Sequence, residues 1–232
     1  MWLHTSDAVK LHAWWIAAPG AEFTFVAFHG NAANIANRAD IYDFLRSVPA
    51  NVLAVEYRGY GKSEGKPDEA GLYLDAQAAY EYLVKERRIS RAKIIPIGHS
   101  LGTAVATDLA SHRTVAGLVL EAPFASAKAV ASRIYPFLPG LGHILKSKFE
   151  TGRKLPDVNA PVLIVHCTND PVLPASLSEE VFRAASEPKS LLRIDGYCHE
   201  EASLVAPEAY RARLRQFLQE IAASQIPKSI DF

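Results

Sequence analysis

The stretch Lys93-Ile94-Ile95-Pro96-Ile97-Gly98-His99-Ser100-Leu101-Gly102 carries the reading of the fold. Its first half is an apolar run of strand length, and Leu101-Gly102-Thr103-Ala104-Val105 opens a helical pattern. A serine flanked by Gly98 and Gly102 at that junction sits on a tight strand-to-helix turn. The turn is strained, so the positions two before and two after the serine must lack side chains that would collide. It aims the hydroxyl out of the sheet and leaves the Leu101 N–H facing any oxyanion that forms there. On these five residues alone, a plain helix start capped by Ser100 stays open.

The flanking sequence repeats the same alternation. Short apolar runs suited to strands cover residues 2–5, 10–17, 23–29, 51–57, 93–98, 117–121, 161–167 and 190–195. From the third onward they are almost continuously apolar, as strands buried on both faces of a parallel sheet are. Pro96 conflicts with this, because proline cannot donate inside a central ladder. Helical patterns cover 38–48, 68–88, 100–112, 174–186 and 207–223. In the second, Leu72, Ala76, Ala79, Tyr80, Leu83 and Val84 share one stripe; in the last, Tyr210, Leu214, Phe217, Leu218 and Ile221 do. This order predicts an α/β fold: an eight-stranded, mostly parallel sheet flanked by helices, with an antiparallel hairpin of the first two strands at one edge. Residues 1–232 read as one domain, and 125–159 as a short helical cap inserted in it.

Composition narrows the function. The chain has 232 residues with 25 Lys+Arg against 25 Asp+Glu, which gives no support to nucleic-acid binding as a main role. No run reaches membrane-span length, and the N-terminus lacks the order of a signal peptide. Two cysteines are too few for a disulfide framework, which favours a cytoplasmic home; whether an anchor precedes Met1 stays open. The cap is basic, with Lys128, Arg133, Lys146, Lys148, Arg153 and Lys154 against Glu150 and Asp157. A solvated face is the expected meaning; contact with a membrane surface or an anionic substrate is the sharper alternative.

A serine hydroxyl needs a base, and the base needs an orienting acid. The strand at 161–167 is followed by Thr168-Asn169-Asp170-Pro171-Val172, and the strand at 190–195 by Gly196-Tyr197-Cys198-His199-Glu200. Asp170 and His199 thus fall at the ends of consecutive strands downstream of Ser100, where functional groups of open α/β sheets gather. Singly, each has a bland reading as a turn aspartate or a loop histidine; together and in order they make a triad the better account. Glu121, at another strand end, is the competing carboxylate. Glu56, Arg58 and Tyr60 read as loop-fixing residues. A second oxyanion donor is assigned to the Asn31 N–H in His29-Gly30-Asn31-Ala32-Ala33-Asn34, against a simple cap role for Asn31.

With these motifs in place, the chain resembles an α/β-hydrolase serine esterase with a minimal cap, similar to lysophospholipid and monoacylglycerol lipases and protein-depalmitoylating thioesterases. The resemblance rests on Phe28-His29-Gly30-Asn31-Ala32, Tyr57-Arg58-Gly59-Tyr60-Gly61-Lys62-Ser63-Glu64-Gly65, the Ser100 pentapeptide, Leu120-Glu121-Ala122-Pro123-Phe124, Pro161-Val162-Leu163-Ile164-Val165-His166, Asp170 and His199. It implies hydrolysis of a small ester or lipid-like substrate through an acyl-enzyme, with no metal or cofactor. Tyr135, Phe137, Leu138, Leu141, Ile144 and Leu145 of the cap, with Val172, are expected to line an acyl pocket open enough for short- to medium-chain esters. Thioester hydrolysis or lysophospholipase action on the same triad stays open, as does a non-catalytic binding protein; epoxide hydrolase and dehalogenase chemistry would need an aspartate in place of Ser100. Oligomeric state is not legible. The chain departs from the family pattern at Cys167 and Cys198, where glycine or another small residue is usual. Two partly buried thiols are the expectation, and a disulfide joining the acid and base loops is the alternative.

Overall fold

The computed structural model describes residues 1–134, 146–200 and 202–225. Eight strands form one sheet: β1 (Trp2–His4), β2 (Lys10–Ile16), β3 (Phe23–Phe28), β4 (Ala50–Val55), β5 (Ile94–His99), β6 (Leu118–Glu121), β7 (Val162–Cys167) and β8 (Lys189–Ile194). Their spatial order is β1-β2-β4-β3-β5-β6-β7-β8. The β1–β2 and β2–β4 pairings are antiparallel and every other pairing is parallel. The antiparallel edge and the mostly parallel body match the sequence pattern.

The central strands β3, β5, β6 and β7 are buried at every residue, which is why they read as unbroken apolar runs. Their side chains still alternate between two cores. Val26 and Phe28 of β3 pack on the side of α2 (Glu69–Glu81) and α3 (Leu101–His112), with Leu72, Tyr80 and Leu109. Phe23, Phe25 and Ala27 pack on the other side, against α1 (Ala39–Arg46) and α8 (Pro207–Ser224), with Leu45, Tyr210 and Phe217. The stripe expected in the last helix is the buried one: Tyr210, Leu214, Phe217, Leu218 and Ile221. Asp68 starts α2 by accepting from the Gly71 N–H at 2.8 Å. The helix then loosens into a π-turn over Tyr82–Glu86, within the span expected for one helix.

Pro96 is accommodated in a buried central strand. It lies opposite Val26 of β3, and pairing with β6 begins only at Ile97, beyond the residue that lacks a donor. Of the cap, α4 (Ala127–Ile134) and the short α5 (Thr151–Lys154) are described, and Glu69 of α2 pins the stretch between them. Its carboxylate accepts from the N–H groups of Lys148 and Phe149 at 2.6 and 3.0 Å. Helix α6 (Ser176–Ala184) and the single-turn α7 (Ala202–Val205) complete the chain. Among the described residues no helix is long and apolar enough to cross a membrane.

Candidate active site

Ser100 follows β5 directly and has φ 50° and ψ −115°, a left-handed conformation that a non-glycine residue adopts only under constraint. The two glycines supply the constraint. A Cβ on Gly98 would lie 2.1 Å from the Gly102 carbonyl oxygen, and one on Gly102 would lie 2.0 Å from the Phe28 carbonyl oxygen. Both obstacles are backbone, so the turn exists only with glycine at each position. The Ser100 N–H donates to the Glu121 carbonyl at 2.9 Å, and the Thr103 hydroxyl donates to the Ser100 carbonyl at 2.6 Å.

Asp170 and His199 meet at this end of the sheet. The His199 Nδ1–H donates to Asp170 Oδ2 at 2.7 Å. The same oxygen accepts from His166 Nε2 at 3.1 Å, and Oδ1 accepts from the Val172 and Leu173 N–H groups at 2.7 and 2.8 Å. Burial alone would raise the Asp170 pKa, but the bonds from His166 and His199 and the two N–H groups outweigh it and hold the carboxyl well below its usual range. Asp170 is therefore ionised, fully solvated by protein donors and fixed in orientation. The sequence reading places His166 in a motif of the resemblance but does not show its contact, from the end of β7, with Asp170 four residues on.

His99 ties the elbow to the His199 loop. Its Nε2 lies 3.0 Å from the His199 carbonyl oxygen, which can only accept, so the ring carries its proton on Nε2. Burial and then the neighbouring His199 depress its pKa to about 3, so His99 stays neutral. Glu121, the competing carboxylate, accepts instead from the buried Tyr210 hydroxyl. Burial pushes its pKa up to about 7, against the lowering effect of that bond. A buried acid with a raised pKa withdraws stability as pH climbs from about 4.5 through 7. Glu121→Gln, which keeps an acceptor for Tyr210, is thus expected to raise Tm at pH 8 and to leave it nearly unchanged at pH 5. Thermal melts at the two pH values check this, and equal destabilisation at both would contradict it.

Asn31 lies after β3, beside the elbow. The Tyr60 hydroxyl donates to Asn31 Oδ1 at 2.8 Å. Arg58 anchors the same loop by binding Asp75 at 2.8 Å and Asp7 at 2.7 Å, and the Glu56 carboxylate lies 3.4 Å from His29. Among the described residues neither the Asn31 nor the Leu101 N–H donates a hydrogen bond, and both Asn31 and Leu101 line a cavity with Ser100. That cavity holds about 500 Å³, and its walls include Tyr60, Leu72, Phe124, Val130, Phe149 and Leu173. Val172 is not on this wall: it is 49 % exposed. The Asp170 carboxylate gathers both following N–H groups, and the resulting turn sends Leu173 inward in its place. The cap residues Tyr135, Phe137, Leu138, Leu141, Ile144 and Leu145 lie outside the described residues. Of the basic cap side chains, Arg133 pairs with Glu180, Arg153 with Glu150 and Lys154 with Asp108.

The two cysteines correct the expectation of free thiols. Cys167 and Cys198 form a disulfide, with Cα atoms 5.7 Å apart. Tertiary structure explains the pairing: β7 and β8 are parallel neighbours, and bonds from Thr168 N–H to Ile194 and from Asn169 N–H to Gly196 extend their pairing into the loops. The bridge joins the loops of Asp170 and His199 covalently, and it removes the cysteine argument for a reducing compartment. It closes a sequence separation of 31 residues. Loop-closure entropy at that length predicts that Cys167→Ala with Cys198→Ala costs about 3.7 kcal/mol of unfolding free energy. Urea unfolding with and without dithiothreitol measures it; a midpoint indifferent to reduction would contradict the bridge's role.

The sheet order, the nucleophile-type elbow and the carboxylate–imidazole pair define the architecture of a hydrolase of α/β type. The alpha/beta hydrolase family profile matches residues 25–150, and the chain belongs to that family. It is 36 % identical over 222 residues to the uncharacterized protein Rv2307c of Mycobacterium tuberculosis, covering 95 % of this chain and 79 % of that protein. It is 34 % identical over 208 residues to the alpha/beta hydrolase domain-containing protein aho-3 of Caenorhabditis elegans, covering 89 % of this chain and 60 % of that one. Among solved structures it is similar to the Pyrococcus furiosus esterase Pf2001, with a TM-score of 0.77 at 24 % identity over 95 % of this chain and 91 % of that one.

Proposed function

We propose that this protein is a serine hydrolase that cleaves carboxylic esters through an acyl-enzyme. The observation that carries the reading is the strained Ser100 turn opening on a cavity at the same sheet end as the Asp170–His199 pair. In this mechanism Ser100 Oγ attacks the acyl carbonyl while His199 Nε2 takes its proton. Asp170 keeps the other ring proton on Nδ1 and stabilises the imidazolium. The Asn31 and Leu101 N–H groups receive the oxyanion. The imidazolium then protonates the leaving alcohol, and a water deprotonated by His199 releases the acid. Residues 1–232 act as one unit, with 125–159 as an insertion beside the site.

The cavity supports an apolar acyl group, with Leu72, Phe124, Val130, Phe149 and Leu173 in its wall. A volume of about 500 Å³ accommodates a short- to medium-chain acid. The test is a p-nitrophenyl ester series from acetate to palmitate. A kcat/KM maximum between butyrate and octanoate is expected. A monotonic rise to palmitate would contradict the chain-length reading. Turnover of acyl thioesters alone would move the protein to thioesterase chemistry on the same residues.

A further inference from the structure

Arg38 is a buried cation that the mechanism above does not use. It lies between the turn that carries Asn31 and the start of α1, and it is only 5 % exposed. Its guanidinium grips three groups. Nη2 donates to the Ala32 carbonyl at 2.8 Å, and Nη1 donates to the Asn34 carbonyl at 3.0 Å. Nε pairs with the Glu200 carboxylate, whose residue directly follows His199.

The two carbonyls flank Ala33, which has φ 62°, in the left-handed region that disfavours any residue with a Cβ. A turn of that kind persists only where its surroundings over-determine it. Here the fork of one guanidinium closes both sides of the turn, two residues after Asn31. Its third nitrogen reaches the base loop. Arg38 is absent from the substrate cavity and instead walls a separate chamber of about 20 Å³ with His29, His99, Glu121 and Glu200. A group so placed can move the reacting groups without touching substrate.

We propose that Arg38 is a positioning residue: it locks the strained turn at Ala33 and couples that turn to the His199 loop, so that the oxyanion donor at Asn31 and the imidazole are held in one frame. The inference rests on the roles given above to Ser100, His199 and Asn31. A planar fork with separate donors can serve the two carbonyls and the carboxylate at once; an ammonium cannot.

The experiment compares wild type, Arg38→Met, Arg38→Lys, Ala33→Gly and Arg38→Met with Ala33→Gly on p-nitrophenyl butyrate. Competent sites are counted by end-point labelling with a fluorophosphonate, so that rates refer to folded protein only. A misplacement on the ångström scale predicts a fall in kcat per labelled site on the order of 10²-fold for Arg38→Met, with KM changed less than about threefold. Arg38→Lys retains the buried charge and guards against a variant that does not fold; it is expected to melt close to wild type and still lose most of the rate. Ala33→Gly alone leaves the rate within about twofold. In the Arg38→Met background it restores about fivefold, because glycine adopts the turn without help.

Unchanged kcat per labelled site in both Arg38 variants would overturn the proposal and leave Arg38 a purely structural residue. So would an Ala33→Gly substitution that recovers Tm in the Arg38→Met background without recovering rate. Wild type that neither turns over an ester nor takes label at Ser100 would overturn the proposed function, and this inference with it.

Discussion

Ser100→Ala is expected to lower kcat by about 10⁴-fold or more while the protein stays folded. The two halves of this expectation have separate physical grounds. On the proposed mechanism the rate falls because the variant lacks the hydroxyl oxygen that forms the acyl-enzyme. The fold survives because the turn is imposed by Gly98 and Gly102, whose neighbours leave no room for a Cβ, and not by the serine hydroxyl. Alanine tolerates φ 50° no worse than serine does. A fluorophosphonate should add its mass to the wild type and not to the variant, and the two should melt together. Equal turnover by the variant would remove Ser100 from the chemistry and return the turn to a simple helix start.

Asp170→Asn is the second large effect, a fall in kcat of about 10⁴-fold with little change in the geometry of the loop. The reason is the direction of hydrogen bonds. Asp170 accepts four of them and donates none: two from backbone N–H groups and one each from His166 and His199. An asparagine can satisfy the two backbone donors with its carbonyl. Its NH₂ group then faces two ring nitrogens that themselves donate. His199 is pushed to the tautomer with its proton on Nε2, and on the proposed mechanism it can no longer take the Ser100 proton. The substitution should also alter acid stability. A carboxyl held below its unfolded pKa of 3.8 contributes stability that is present above that pH and lost as pH falls toward the folded value. The variant should therefore be less stable than wild type at pH 7 and closer to it at pH 2.5. A variant with wild-type kcat would transfer the orienting role to another carboxylate, Glu121 being the first to try by Glu121→Gln.

Much of this is legible in the sequence. Elements built on periodicity came out within a few residues, because continuous apolar runs and 3.6-residue stripes record burial directly. The elbow was legible for a related reason: the excluded volume around Gly98 and Gly102 leaves its mark as a fixed spacing in five consecutive residues. Asp170 and His199 were legible as strand-end residues in order, since strand ends in a parallel sheet share one edge.

What stayed hidden depends on contacts between segments distant in sequence. The Cys167–Cys198 bridge needs β7 and β8 side by side and their loops laid together, and no spacing rule reports that. The exchange of Val172 for Leu173 on the cavity wall follows from which N–H groups one carboxylate gathers. Arg38 reads in sequence only as the first residue of the helical pattern at 38–48, yet it is buried against two carbonyls and the carboxylate of a residue 162 positions later. Sequence alone determined the sheet, the elbow and the order of Ser100, Asp170 and His199, because each is written in local patterns of size and polarity. Only the tertiary structure decided what holds those groups in place. A hydrogen bond, a disulfide or an ion pair is set by three-dimensional distance, which sequence separation does not encode.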